Sequence, residues 1–156
     1  MVKITKVQGR QVFDSRGNPT VEAEVYLDNN ISAIAICPSG ASTGAFEAHE
    51  LRDQDNNLFL GRSVNLAVAN INEKISTNLK GLNPFDQSQI DKVLLDLDGS
   101  ETKKNLGANA TLAVSLATSK SAAKSNNNSL YKNLGKSFSL PNPLMNIING
   151  GAHADN

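Results

Sequence analysis

Residues 21–27 alternate strictly between apolar and polar side chains. The apolar positions are Val21, Ala23, Val25 and Leu27, and the polar ones are Glu22, Glu24 and Tyr26. Successive side chains of a strand point to opposite faces, so a period of two predicts a strand with one buried and one solvated face. Half-solvated strands of this kind are typical of antiparallel sheets. The stretch therefore restricts the chain to folds that contain an antiparallel sheet with two different faces.

A further strand is predicted on each side of this one. Residues 2–13 alternate loosely, with an irregularity expected near Gly9, and residues 31–37 form an apolar run. Turn-forming residues separate the three segments, since 14–19 include Asp, Ser, Gly, Asn and Pro, and 28–30 are Asp-Asn-Asn. The sequence predicts a three-stranded meander.

The remainder of the first 140 residues is dominated by helical patterns. A stripe with spacings of three and four predicts one core-facing helix; its members are Val64, Val68, Ile71, Ile75 and Leu79. Asp86 and Gln89 resemble a capping box at the start of a second helix that ends near Gly99. Asn109 is a plausible N-cap for a third, which is rich in Ala and Ser and carries Leu112 and Leu116 one turn apart. We expect this third helix to be the most buried and the two leucines to join the core.

Two prolines, Pro141 and Pro143, predict a domain boundary. Before it, residues 1–140 are predicted to form an α+β domain, a three-stranded antiparallel meander followed by a helical bundle. After it, residues 141–156 begin with an apolar run, 144–148, that predicts a buried strand.

The loop Pro38–Gly44 contains two glycines, three hydroxyl side chains and no charge. Glycine permits positive φ, and Ser42 and Thr43 supply oxygens for a cation or donors for an anion. The spacing excludes a P-loop, because no Lys-Ser/Thr follows Gly44, and no G-x-G-x-x-G occurs in the chain. A simple polar turn is the ordinary alternative.

Three other features invite a functional reading. The charged stretch 47–55 could resemble a metal cluster, but its spacing favours a solvated helical turn, and His49 has no second histidine at ligand spacing. Arg16 could clamp an anion, although Asp14 and two nearby glutamates favour a structural ion pair. Cys37, at the end of an apolar strand, favours a buried thiol over a reactive one.

Composition excludes several classes of protein. Lys+Arg and Asp+Glu are both 15, so no basic surface points to nucleic acid or an anionic membrane. The chain has no run of 18 apolar residues and no apolar leader after Met1. A single cysteine fits a reducing compartment. We expect a cytoplasmic protein with no nucleic-acid or membrane partner.

Four motifs in one register resemble the enolase (phosphopyruvate hydratase) family. They are Phe13 to Glu22 (FDSRGNPTVE), Pro38 to Gly44 (PSGASTG), Leu106 to Ala110 (LGANA) and Asn146 to Asn156 (NIINGGAHADN). The resemblance implies that 1–140 is the N-terminal capping domain and that 141–156 begins a β/α barrel. A barrel of that class needs about 250 residues, so most of it is missing here.

The resemblance also implies a reaction, the reversible dehydration of 2-phosphoglycerate to phosphoenolpyruvate with Mg²⁺. In the family a lysine base, a glutamate acid and the main metal carboxylates carry it, and all lie beyond the position that matches Asn156. By motif position, Ser42 resembles a ligand of the second magnesium, Ala41 lies beside the substrate, and His153 is an auxiliary residue on a second closing loop that approaches the substrate phosphate. For His153 the alternative is a terminal histidine without a role.

Two functions remain open at this stage. In the first, the chain is the N-terminal part of a glycolytic enolase, inactive alone, whose partners are the missing barrel domain and a second subunit of a parent homodimer. In the second, it is a free-standing enolase-like cap that binds or interacts without catalysis. Because the chain ends inside a motif, we expect the first.

Overall fold

Three antiparallel strands form one layer of the computed structural model, which describes residues 1–40, 44–135 and 137–148. They are β1 (Ile4–Phe13), β2 (Pro19–Leu27) and β3 (Ser32–Cys37), in spatial order β1-β2-β3. The apolar positions of β2 are buried and its polar positions are half-buried. The predicted meander is confirmed, and so are its turns, in which Gly17 and Asn30 take positive φ.

The irregularity of β1 is not where the sequence placed it. The register shifts between Ile4 and Lys6, whereas Gly9 pairs in register with Ala23. The glycine is needed for a different reason, because a Cβ there would lie 3.0 Å from the Cβ of Ile71. The helix therefore approaches the strand closely at this point, and the Asn72 side chain pairs with both the N–H (2.8 Å) and the C=O (3.2 Å) of Gly9.

That helical segment confirms the predicted apolar stripe. A 3₁₀ turn at Phe59–Gly61 precedes α1 (Asn65–Ala69), which continues through a π-helical stretch (Asn70–Ile75) into α2 (Ser76–Leu79). All members of the stripe are fully buried except Val68, which is partly buried. Residues four apart, such as Ile71 and Ile75, share a face of a helix, so the stripe stays on the core side through the π-helical stretch.

The second predicted helix is also confirmed. Helix α3 spans Gln87–Asp98, the Asp86 carboxylate accepts from the Gln89 N–H at 3.0 Å, and Gly99 follows with φ 66°. A carboxylate at the N-cap satisfies one of the free N–H groups of the first turn, and a left-handed glycine ends the last. Ile90 and Leu94 face the core.

Helix α4 (Ala108–Ser125) is the most buried, as predicted, but its leucines are not in the core. It packs on β2 and β3 through small residues, which include Ala110, Ala113, Val114, Ala117 and Ser121. Leu112 and Leu116 are 49% and 36% exposed, so the expectation that they join the core is wrong. Small side chains let the helix lie close to the sheet, and the larger ones are left on the outer face.

The last described residues contain one short helix. Helix α5 (Leu130–Leu134) ends at Gly135, and the described residues 137–148 contain neither helix nor strand. The predicted buried strand at 144–148 is therefore not formed in this chain, where Leu144, Ile147 and Ile148 are exposed. A strand needs a hydrogen-bonded neighbour, and in the described part of the chain the only sheet is the meander. None of the described helices is both long and apolar enough to cross a bilayer.

Candidate functional site

An open cleft of about 540 Å³ lies where the chain leaves β3 and meets the start of α4. Three stretches line it: Cys37 to Gly40 after the strand, Gly44 to Arg52 in the connector, and Ala108, Asn109 and Leu112 of the helix. The loop that the sequence analysis singled out therefore has both of its described ends at this cleft.

The connector is not the helical turn that its charge spacing suggested. Residues 47–55, all described, contain no helix, because their backbone groups bond to other elements. The His49 N–H donates to Thr102 O at 2.7 Å, and its carbonyl accepts from Ala108 N–H at 2.8 Å. These bonds hold the connector in an irregular, extended path across the start of α4.

Asn109 takes part in the same arrangement and is not an N-cap. Its side-chain amide pairs with the backbone of Leu51, accepting from the N–H at 3.2 Å and donating to the C=O at 3.0 Å. The N-cap position belongs to Gly107, whose φ is 96°. A Cβ on Gly107 would lie 2.4 Å from Asn109 Oδ1 and 2.6 Å from Leu51 Cβ, so only glycine fits between the helix and the connector.

The side chain of Asp53, twelve residues before the helix, caps the start of α1. Its carboxylate accepts from Ser63 Oγ (2.6 Å) and from the N–H groups of Asn65 (2.9 Å) and Leu66 (2.8 Å), in the first turn of α1. Burial opposes its ionisation, but these hydrogen bonds outweigh burial and hold the pKa of Asp53 below its usual value. An acidic residue that looked like part of a solvated surface is a structural anchor.

Arg52 is the residue of this site that the sequence analysis missed. Its guanidinium donates to Ser39 Oγ at 2.7 Å and to Glu50 Oε1 at 2.8 Å, and the Ser39 hydroxyl donates to the same Glu50 oxygen. It also donates to the carbonyls of Pro19 (3.0 Å) and Arg62. No local pattern in the sequence signals this, because the acceptors come from segments far apart in the chain.

The candidate site residues taken from the family resemblance, Ala41, Ser42 and His153, lie outside the described residues, so their roles stay predictions. On the downstream side of the loop, Gly44 N–H donates to Glu47 Oε2 at 3.0 Å and Glu47 N–H donates to Gly44 O at 3.1 Å. Within residues 1–40, 44–135 and 137–148, no three His, Cys, Asp or Glu side chains come together as a metal site. Of the carboxylates that line the cleft, Glu50 is ion-paired with Arg52 at 2.8 Å, which leaves Glu47 alone, so the described residues do not form a Mg²⁺ site by themselves.

The structure contradicts the prediction for Arg16 and agrees with the one for Cys37. Arg16 makes no ion pair with any described residue; the glutamates of β2 pair with Arg10 instead, Glu22 at 2.9 Å and Glu24 at 2.6 Å. The structural ion pair proposed for Arg16 is therefore wrong. Cys37 is half-buried, and burial, reinforced by the negative charge of Glu50, raises the pKa of its thiol. This agrees with an unreactive cysteine.

Fold and site together define a two-layer α+β domain with a loop-framed cleft at one end of its sheet. The family model described as the N-terminal domain of enolase matches residues 4–134. Over its whole length the chain is 58% identical to the enolase of Pelagibacter ubique (strain HTCC1062), covering 38% of that protein. It is 57% identical to the enolase of Corynebacterium kroppenstedtii (strain DSM 44385), with 99% of the chain and 36% of that protein covered.

The chain belongs to the enolase N-terminal domain family. It spans little more than a third of the length of these curated relatives.

Proposed function

We propose that this chain works as the N-terminal domain of an enolase that interconverts 2-phosphoglycerate and phosphoenolpyruvate with Mg²⁺. The observation that carries the proposal is the match to proteins named enolase along the entire chain at 57–58% identity. The free-standing binding module has no comparable support from the two relatives named above or from the described residues.

In this proposal residues 1–140 form the cap and residues 141–156 begin a barrel that supplies the base, the acid and the main metal carboxylates. The extent of the family match, 4–134, supports the first of these bounds. The relatives' greater length leaves room for a barrel of about 250 residues. The exposed apolar residues of 144–148 are consistent with a segment that needs a strand partner.

The proposed contribution of the domain to the active site is its loop. Ser42 would ligate the second Mg²⁺, Ala41 would lie beside the substrate, and His153 would approach the substrate phosphate from a second loop. Support comes from the described ends of the first loop, which both line the cleft and are held there by Ser39, Glu47 and their partners. Magnesium bound there would polarise the substrate carboxylate and stabilise negative charge that develops on it.

The remaining parts of the proposal concern the enzyme's setting. The parent is proposed to be a homodimer in the cytoplasm, with no nucleic-acid or membrane partner. Balanced charge, with 15 acidic and 15 basic residues, supports the last point. The single cysteine cannot form a disulfide within the chain, which supports a reducing compartment.

Substitution of Ser42 in the domain joined to an enolase barrel tests the role of the loop. Ser42→Ala removes a hydroxyl and keeps the backbone, so the Mg²⁺ concentration for half-maximal rate should rise and kcat should fall. His153→Ala should weaken substrate binding and leave Mg²⁺ binding in the absence of substrate intact, because it acts only on the closed complex. An unchanged Mg²⁺ dependence in Ser42→Ala would count against the loop assignment, and equal damage to both properties by His153→Ala would count against the second loop.

A further inference from the structure

The stretch of chain that leaves β3 is held in place by a single side chain. Ser39 Oγ donates to Glu50 Oε1 and accepts from Arg52 Nη2 at 2.7 Å. Among the described residues these are the only hydrogen bonds made by Pro38, Ser39 or Gly40. The position of this stretch relative to the cleft therefore depends on the serine hydroxyl.

The connector on the other side of the loop is fixed independently. His49 bonds to Thr102 and Ala108, Leu51 pairs with Asn109, and Asp53 caps α1. Glu50 and Arg52 lie between these anchors, so they are presented to Ser39 from a rigid strip of chain. The upstream end of the loop is thus tied to the connector through Ser39, Glu50 and Arg52.

Arginine is suited to this position and lysine is not. Its planar guanidinium donates to Ser39 and Glu50 through one nitrogen and to the carbonyls of Pro19 and Arg62 through the other. A lysine ammonium has three donors on one atom, so it lacks the fork that reaches two sides at once.

We propose that Ser39, Glu50 and Arg52 are positioning residues for the enolase reaction, which fix the start of the loop that carries Ser42 three residues further on. This inference rests on the proposed function. The three residues act through the loop, so removing their bonds should change the rate of the chemical step more than substrate binding.

The single cysteine provides a direct readout in the 156-residue chain. Cys37 lies two residues before Ser39, is half-buried and lines the same cleft, so we expect release of the neighbouring chain to expose its thiol and to speed its alkylation by iodoacetamide. Ser39→Ala should raise the plateau rate at high pH by at least about fivefold, the equilibrium factor for one ordinary hydrogen bond, because the hydroxyl makes two. Using the plateau removes any contribution from the thiol's own pKa. Arg52→Lys should act in the same direction and Ser39→Thr, which keeps the hydroxyl, should restore the slow rate.

Ser88→Ala is the matched control, since Ser88 is an exposed serine of α3 far from the cleft in sequence. It should alkylate like the unchanged chain. Equal alkylation rates for Ser39→Ala, Arg52→Lys and the control would overturn the proposal. Far-ultraviolet circular dichroism of each variant shows whether the fold is retained. If Ser39→Ala unfolds, the alkylation rates of Arg52→Lys and Ser39→Thr are compared instead, and a faster rate for Arg52→Lys supports the proposal.

The second arm uses the domain joined to an enolase barrel. Ser39→Ala should lower kcat roughly ten- to a hundredfold, as expected for small misplacement of a reacting group, with little change in KM, and Ser39→Thr should recover most of it. If the unchanged joined enzyme is active and Ser39→Ala matches it, the positioning role is wrong and the proposed function stands. If the unchanged joined enzyme is itself inactive, the proposed function fails, and the alkylation result still decides whether Ser39, Glu50 and Arg52 hold the start of the loop.

Discussion

Substitution of Gly107 should reveal how strongly the start of α4 is locked to the connector. Gly107 has φ 96°, a region that side chains rarely adopt, and an added Cβ would lie 2.4 Å from Asn109 Oδ1 and 2.6 Å from Leu51 Cβ. The backbone strain costs about 1–3 kcal/mol, and forcing a methyl group into occupied space costs a further 1–3 kcal/mol or so. Gly107→Ala should therefore remove a large part of the roughly 5–15 kcal/mol by which a domain is stable.

Gly81→Ala separates the two terms. Gly81 also has positive φ, 86°, but nothing lies within 4 Å of the position its Cβ would take, so this variant carries the strain without the clash. Urea unfolding of both variants, followed by circular dichroism, should place the midpoint of Gly107→Ala below that of Gly81→Ala. For a denaturant slope of about 1–3 kcal/mol per molar urea, the gap should be on the order of 1 M. Equal midpoints would show that Leu51 and Asn109 yield without cost, and would refute the locked geometry.

Two further predictions concern the rest of the domain. Burial disfavours the charged form of Asp98, but hydrogen bonds from Ser100 and from the N–H of Leu106 (2.7 Å) outweigh burial and lower the pKa of Asp98 in the folded state. The ionised Asp98 therefore stabilises the fold fully above the ordinary aspartate pKa of about 4. This stabilisation is lost as the pH falls through the lower pKa of the folded state. Asp98→Asn should lower the free energy of unfolding by about 1.5–3 kcal/mol at neutral pH and reduce the fall of the melting temperature at acidic pH. Asp96→Asn, at an exposed position of the same helix, should do neither. The same fall of melting temperature with acid in both variants would contradict the role of Asp98. The second prediction concerns the exposed apolar residues Leu144, Ile147 and Ile148. Because exposed apolar side chains promote association, the 156-residue chain should sediment as larger species than a chain that ends at Leu140, at the same concentration. Two equally monomeric chains would show that this segment does not cause association.

The sheet and the helix positions could be predicted from the sequence because their signals are local. Alternation over 21–27 and the apolar stripe from Val64 to Leu79 reflect which face of an element is buried, and each is readable within one element. The Asp86 cap and Gly99 are likewise local. These predictions are confirmed because no distant residue competes with them.

The errors occur where the partner of a residue lies far away in the chain. Gly9 is a glycine because of Ile71 rather than because of a bulge, and Asn109 bonds to Leu51 rather than to its own helix. Leu112 was assigned to the core because it lies one turn from Leu116, yet the small residues of α4 face the sheet and leave Leu112 at the cleft. Such pairings are set by tertiary packing, which periodicity within one element does not contain.

The candidate site divides in the same way. The loop at 38–44 was recognisable from its glycines and hydroxyls and from family motifs. The groups that hold its start, Ser39, Glu50 and Arg52, were not recognisable, because Arg52 also donates to the distant carbonyls of Pro19 and Arg62. Asp53 and Glu50 looked like a charged surface because charge alone does not reveal whether a carboxylate caps a distant helix or binds a guanidinium.

A dehydratase assay shows whether this domain contributes to enolase catalysis. It follows the ultraviolet absorbance of phosphoenolpyruvate with 2-phosphoglycerate and Mg²⁺, and compares the 156-residue chain, an enolase barrel alone, and the two joined. We expect turnover only for the joined protein, because the domain supplies a loop and lacks the base and the acid. Turnover by the 156-residue chain, or a folded joined protein without any, would contradict this expectation.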